Sequence, residues 1–265
     1  MMKNKICIFL SACVNPKGMS NTALQDIKER EKQYMRAVDF YLEETNVPIV
    51  FVENTSYVIS RRYQDYIDSG RLEYITFDGN NYNKALGKGY GEGLIIKEGF
   101  KRSKILRNSK YVVKITGRLI IRNINHILCS KLLFFDNIFR CDFRTNDFLW
   151  SMVFVIKSNK LKEIFNEKYN QIDESKWVLF EHILYTSMYE DKKTRAIPFL
   201  SPPVVEGTSG SWNISYADIL NEDRRARNIK QVAYFYLRAE RRLLYYLCRI
   251  IDCFYNLNII GTISK

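Results

Sequence analysis

Between Lys84 and Arg122 the chain collects the residue types that handle anions. Gly87, Gly89, Gly91 and Gly93 alternate with Lys88, Tyr90 and Glu92. Glycines at that density let backbone N–H groups approach a ligand closely, and a helix following at once aims its positive end the same way. The β-branched, aromatic run YVVKIT comes next and leads into Lys114-Ile115-Thr116-Gly117-Arg118. It reads as an interior strand, and the carboxyl ends of such strands are where open α/β sheets place ligands. The glycines are not a Walker A loop, since no Gly-Lys-Ser/Thr follows the required gap. Nor are they a dinucleotide fingerprint, because no ordinary strand runs directly into them. The plain structural alternative is a surface loop feeding a βαβ crossover, with Lys114 and Arg118 merely solvated.

The elements that must position these residues follow from periodicity. The apolar run 6–12 predicts a central strand, and the polar stretch 11–21 a turn. Lys3 and Lys5 before ICIFL, then Leu10-Ser11-Ala12-Cys13, imitate a lipoprotein cleavage box. The apolar core is too short for a signal segment, so the strand reading is preferred. From Asn21 the period changes, with Leu24, Ile27, Tyr34, Val38 and Tyr41 on one helical face. Pro48 opens a second strand, IVFVEN; 57–69 reads as a helix stopped by Gly70, and 74–77 as a short strand. Residues 6–118 therefore read β-α-β-α-β-α-β, half of a Rossmann-type sheet that is mostly parallel. Beyond it, 132–136, 139–143 and 148–156 read as strands with little helix between them. Helices are expected over 160–169 and 175–189, and 197–215 is irregular.

Composition narrows the class. The chain has 265 residues, 46% hydrophobic and 14% aromatic, enough for a large core. A formal charge of +12 calls for an anionic partner: nucleotide phosphates, a membrane surface or nucleic acid. No nucleic-acid-binding signature appears, and the excess charge sits largely near the C-terminus. Six cysteines without CxxC pairs, and two histidines, make a zinc site a poor expectation. No apolar run is long enough to span a bilayer.

The pieces together resemble GT-A-type nucleotide-sugar glycosyltransferases, in particular the bacterial enzymes that build capsule and lipopolysaccharide O-antigen chains. The resemblance covers residues 5–216. It rests on Cys13-Val14-Asn15-Pro16 after the first strand, the Arg30/Tyr34 helix, and Val52-Glu53-Asn54. It continues through Lys88-Gly89-Tyr90-Gly91-Glu92, Lys114-Ile115-Thr116-Gly117-Arg118, Phe180-Glu181-His182 and Glu206-Gly207-Thr208-Ser209-Gly210. The resemblance implies a GT-A-like α/β fold: a half-Rossmann, mostly parallel sheet, then an antiparallel and helical acceptor half.

One departure matters more than the match. Enzymes of this fold usually carry an Asp-x-Asp at the end of the fourth strand, holding a metal against the donor diphosphate. Here cations stand in that place, so the expectation is a metal-independent enzyme with no cofactor beyond its nucleotide-sugar co-substrate. Lys114 and Arg118, helped by Lys88 and the helix N-terminus, would neutralise the leaving diphosphate. By the same resemblance Glu181 is the candidate base, with His182 as runner-up. Donor contacts are expected from Ser11, Asn15, Glu53, Asn54, Lys88, Gly89, Glu92, Thr116, Gly117 and Ser209. Thr208-Ser209-Gly210 would be a closing loop.

The domain division is 1–216 for the transferase and 217–265 for a C-terminal basic amphipathic helix. On that helix Tyr236, Ala239, Leu243, Tyr246, Leu247, Ile250 and Phe254 share one face, and Arg238, Arg242 and Arg249 the opposite one. Such a helix suits a membrane interface. The full expectation is a cytoplasmic enzyme, peripheral on the inner face of the cell membrane. It would add a sugar to a lipid-linked or oligosaccharide acceptor in surface polysaccharide synthesis. The alternative is a non-catalytic basic protein that binds anionic lipid or nucleic acid through this helix. Oligomeric state, donor sugar and stereochemical outcome are left open.

Overall fold

The computed structural model describes residues 6–19, 21–59, 61–128, 138–142, 149–191, 194–197, 199 and 201–219. The expected C-terminal helix and the expected strand at 132–136 lie outside the described residues.

The first strand, β1 (Ile6–Ala12), is buried along nearly its whole length and alternates between two cores. Ile8 and Leu10 point to one, Cys7 and Phe9 to the other. Helix α1 (Ile27–Glu44) starts later than its periodicity suggested, because Asp26 caps it by accepting the Glu29 N–H at 2.7 Å. Its buried face, Tyr34, Ala37, Val38 and Tyr41, has the three-and-four spacing of an amphipathic helix. Strands β2 (Ile49–Glu53) and β3 (Leu72–Thr76) follow, joined by only a 3₁₀ turn and the short α2 (Gln64–Asp68) where a longer helix was expected.

Helix α3 (Gly87–Arg102) takes up the whole glycine run. The short α4 (Lys104–Asn108) is capped by Ser103 and leads into β4 (Tyr111–Thr116). Next come β5 (Ile120–Ile121), α5 (Ile124–Leu128), β6 (Ile138–Arg140), β7 (Val153–Lys157) and α6 (Ser158–Lys168). Helix α7 (Phe180–Glu190), β8 (Arg195–Ile197), β9 (Val205–Glu206) and α8 (Tyr216–Ile219) complete the described chain.

Seven strands form one sheet in the order β3-β2-β1-β4-β7-β6-β8, and β5 pairs with β9 separately. The first four strands are mutually parallel. Antiparallel pairing enters in the second half, where β7 runs against β4 and β6 and β5 runs against β9, while β8 is parallel to β6. The class is α/β with a mostly parallel sheet, as expected. Helix α1 covers one face, while α3, α4, α6 and α7 cover the other.

The strand order fixes where a ligand belongs. From β1 the chain steps outward to β2 and β3, then crosses back to β4 on β1's other side. Connections leave the carboxyl ends of β1 and β4 in opposite directions, which opens a crevice between them. Ser11 pairs with Thr116 at that edge, and the Gly117 N–H donates to Ser11 O at 2.8 Å.

Candidate active site at the β1–β4 switch point

Arg118 stands one residue past that edge. It is 7% exposed, and its Nη1 donates to Gln33 Oε1 at 3.1 Å and to Thr208 Oγ1 at 3.5 Å. Both acceptors are neutral, and among the described residues Arg118 forms no ion pair with a carboxylate. Burial lowers its pKa, and Arg30 nearby acts in the same direction. The segment behind it is held firmly, because the Tyr41 hydroxyl donates to Leu119 O and accepts from the Ile121 N–H, each at 2.9 Å. The loop after β9 lies against the guanidinium: a Cβ on Gly210 would stand 2.6 Å from Nη2.

Lys114 turned out otherwise than expected. It shares the sheet face of Val112, has no exposed surface, and forms an ion pair with Glu92 on α3. Its ammonium also donates to Ser151 O at 3.3 Å and sits 5.7 Å from the ring centres of Phe154 and Phe180. A lysine so enclosed and paired is in no position to touch a diphosphate. Glu92 is likewise a partner of Lys114 and not a donor contact. Ser151 carries the link onward, since its hydroxyl donates to Glu181 Oε1 at 2.6 Å. Glu181 itself is half-buried in the first turn of α7.

The glycine run is a second correction. Gly87 to Gly93 form the first turns of α3, and all four glycines are buried. Their missing side chains admit neighbours: a Cβ on Gly89 would stand 3.0 Å from Phe180 Cβ, and one on Gly93 3.0 Å from Tyr169 Cβ. The helix N-terminus is also taken. Gly89 N–H donates to Glu174 Oε1 at 2.7 Å, so a carboxylate occupies the place expected for phosphate. Burial raises the Glu174 pKa despite that bond and the nearby Lys88. Lys88, exposed as a whole, reaches across to the Ser211 hydroxyl. Burial around its ammonium lowers its pKa against the pull of Glu174 and Glu181, with Arg118 close enough to add to the shift.

The remaining expected donor contacts are mostly spent on the scaffold. Glu53 has no exposed surface and accepts from Val14 N at 3.1 Å, Thr55 N at 2.8 Å, Tyr57 N at 2.9 Å and Thr76 Oγ1 at 2.8 Å. It pins the loops after β1 and β2 and has no capacity left for a ribose. Asn15 closes its own turn by accepting the Lys17 N–H at 3.1 Å. Ser11 is 2% exposed, with its hydroxyl toward Ile115 O, and Thr116 N donates to Met152 O. Asn54 is the exception, because its buried Oδ1 has no hydrogen-bond partner among the described residues. His182 caps its own helix: Nδ1 lies 3.0 Å from Trp177 O and 3.3 Å from the Leu179 N–H. Ser209 is buried and braces the 207–216 loop, where its hydroxyl accepts the Ser211 N–H at 3.3 Å.

The structure brings Arg118, Lys88, Glu181 and Ser209 together. It adds Glu174, Ser151, Gln33 and Tyr216, which the sequence reading missed. Tyr216 is half-buried beside Arg118, Ser209 and Glu181, and burial raises its pKa. No local motif marks these four; each arrives from a separate element. Elsewhere, a groove of about 420 Å³ opens on the outer side of α1. Its arginines are already paired, Arg62 with Asp39 and both Arg36 and Arg122 with Glu206. Among the described residues no three His, Cys, Asp or Glu side chains converge as a metal site. No described helix is long and apolar enough to cross a membrane.

No family model matches the chain, and no curated protein matches it. Several solved structures are similar in shape. The mannosyltransferase Ktr4p from S. cerevisiae is 9% identical over 86% of this chain and 82% of its own, with a TM-score of 0.48. A cytidylyltransferase from Leptospira borgpetersenii is 13% identical over 74% of this chain and 76% of its own, with a TM-score of 0.41. The 4-diphosphocytidyl-2C-methyl-D-erythritol synthase from Anaerococcus prevotii is 13% identical over 83% of this chain and 94% of its own, with a TM-score of 0.39.

Proposed function

We propose that this chain is a nucleotide-sugar-dependent glycosyltransferase that works without a divalent metal. One observation carries the reading: Arg118, a buried guanidinium with no carboxylate partner among the described residues, at the sheet's switch point. A buried charge without a counter-ion is costly unless a ligand supplies one. A diphosphate is a two-oxygen anion that a guanidinium fork fits. Lys88 is the second cation, replacing Lys114 in that role. For the diphosphate to reach Arg118, residues 208–211 must swing aside, releasing the contacts to Thr208 and Ser211.

In the reaction an acceptor hydroxyl oxygen attacks the anomeric carbon of the donor. The bond from that carbon to the diphosphate oxygen breaks, and the diphosphate leaves with the electron pair. Glu181 takes the hydroxyl proton, and Ser151 holds the carboxylate in place. The biological setting we favour is bacterial surface polysaccharide, made at the inner face of the membrane on a lipid-linked or oligosaccharide acceptor. The basic helix expected beyond residue 220 would supply the attachment.

A melting-temperature screen against UDP, GDP, CDP and dTDP and their sugars, with and without excess EDTA, tests the reading. A binder raises the transition with the logarithm of its concentration over Kd. The expected result is stabilisation by one nucleotide family that EDTA does not remove. No shift with any of them refutes the transferase reading; a shift abolished by EDTA and restored by manganese refutes metal independence.

A further inference from the structure

We infer that Lys114 is a positioning residue for Glu181, holding the candidate base in place through Ser151 and Phe180. What Glu181 does rests on the transferase reading above; where Glu181 is held rests on bonds and ring contacts.

Lys114 reaches the base by two routes. Its ammonium donates to Ser151 O at 3.3 Å, and the hydroxyl of the same serine donates to Glu181 Oε1 at 2.6 Å. The ammonium also lies 5.7 Å from the ring centre of Phe180, the first residue of α7 and the one before Glu181. One fully buried cation therefore touches both residues that set the carboxylate, the one bonded to it and the one preceding it in the chain.

The two routes differ in what else supports them. Phe180 stacks on Phe165 with ring centres 4.7 Å apart, and α3 comes so close that a Cβ on Gly89 would stand 3.0 Å from its Cβ. The start of α7 is thus a firm seat without Lys114. Ser151 is not so secured. Strand β7 begins at Val153, and pairing toward β4 reaches back only to Met152, whose carbonyl accepts the Thr116 N–H at 2.9 Å. Ser151 lies one residue beyond, and among the described residues its carbonyl accepts from no backbone N–H. The Lys114 ammonium is the donor that strand pairing leaves wanting.

That bond gives the buried charge a use that packing does not explain. Apolar residues of similar volume would hold β4 against α3 about as well as an ion pair, because desolvation offsets most of the attraction. An apolar side chain could not anchor the Ser151 carbonyl, whereas an ammonium on a four-carbon stem can, with Glu92 as its counter-ion.

The test separates holding the base from holding the fold, on the full chain. Lys114→Met/Glu92→Gln removes both charges together, so most of the stability stays while Ser151 O loses its donor. Lys114→Met/Glu92→Leu is the second variant, should the first not fold. A crystal structure of the variant should show the bond from Ser151 Oγ to Glu181 opened and the carboxylate displaced by about 1 Å. Release of nucleoside diphosphate is then followed from UDP-glucose, GDP-mannose, CDP-glucose and dTDP-rhamnose, with water in place of the acceptor. Relative to wild type, kcat should fall about 10–100-fold with KM little changed, the usual effect of such a misplacement. In a Glu181→Gln background the same two substitutions should change kcat less than about twofold, since no base is left to position. An unmoved Glu181 carboxylate overturns the inference whether or not any donor reacts. Wild-type kcat in the folded variant overturns it too, as does an equal loss in the Glu181→Gln background. Failure of the transferase reading looks different: no melting shift with any nucleotide and no diphosphate from any of the four donors. A displaced carboxylate would then still support Lys114 as the residue that places Glu181.

Discussion

The Lys114 ammonium is paired with the Glu92 carboxylate across the contact between β4 and α3, and the lysine side chain has no exposed surface. The pair locks the strand that leads to Arg118 against the helix that carries Lys88. Removing one partner leaves the other charge without its counter-ion, a loss on the order of 3 kcal/mol. Glu92→Gln strands the fully buried Lys114 cation and should therefore lower the melting temperature by several degrees, and Lys114→Met less, since the Glu92 it leaves behind is partly solvated. The double variant should recover much of the loss. A double-mutant cycle in urea checks it; strictly additive losses would show that the two residues are not coupled.

Gly117 is required by close approach. A Cβ there would stand 2.6 Å from Ser11 O, the acceptor of Gly117's own N–H. Ser11 O is a backbone atom and the backbone fixes the position of a Cβ, so neither can rotate away. Gly117→Ala should part β1 from β4 at the switch point and destabilise by about 1–3 kcal/mol. Equilibrium unfolding measures it, and a wild-type midpoint would mean that the crevice edge has slack.

Glu174 gives a pH signature. Its folded-state pKa is raised by burial, so between the ordinary and the raised value the folded protein binds more protons than the unfolded chain. Stability from this group therefore falls as pH rises through that window and stays reduced above it. Glu174→Gln keeps an acceptor for Gly89 N–H without the charge, so it should melt above the wild type at neutral pH. The gap should close as pH drops below the ordinary glutamate range. A gap that widens on acidification would reverse the assignment.

What was legible in the sequence, and what was not, separates along physical lines. The β1, β2 and β4 strands and the α1 face are periodic apolar patterns, which burial on one or two sides imposes directly. The glycines of 87–93 misled, because glycine weakens a helix by about 1 kcal/mol per residue relative to alanine. Only tertiary contacts, with Phe180, Tyr169 and Tyr82, explain why the helix forms there. The same holds for the site. Arg118 was visible as a cation after an apolar strand. That Lys114, four residues earlier on the same run, would be neutralised depends on which sheet face it shares with α3. Glu174 and Tyr216 carry no local pattern at all. Their roles come from chain segments that meet only after folding.

The basic helix expected beyond residue 220 makes its own prediction. If Arg238, Arg242 and Arg249 face a membrane, the protein should bind anionic vesicles, and added salt should weaken that binding. Reversal of all three to glutamate should release it. Sedimentation with phosphatidylglycerol vesicles reads this, and unchanged binding of the triple variant would place the attachment elsewhere.

Arg118 is the sharpest test of the site. Its guanidinium is held by Gln33 and Thr208, both neutral, and the backbone behind it is clamped through Tyr41. On the proposed transferase reading, a cation so placed gains most when negative charge develops on the leaving diphosphate, so its loss should reach kcat before KM. Arg118→Ala should lower kcat by about 10²–10³-fold, the usual effect of deleting one charge-stabilising donor. Arg118→Lys should recover part of it, since the charge returns without the two-point geometry. Stability should move the other way or barely change, because the arginine is buried without an acidic partner and its desolvation is a burden on the fold. The informative result is the pair of measurements on one protein. Folded Arg118→Ala with lost turnover and an unchanged or higher melting temperature marks a residue kept for its ligand. Lost turnover with a large drop in melting temperature would instead make Arg118 a strut for the 207–216 loop, and the diphosphate would need another partner.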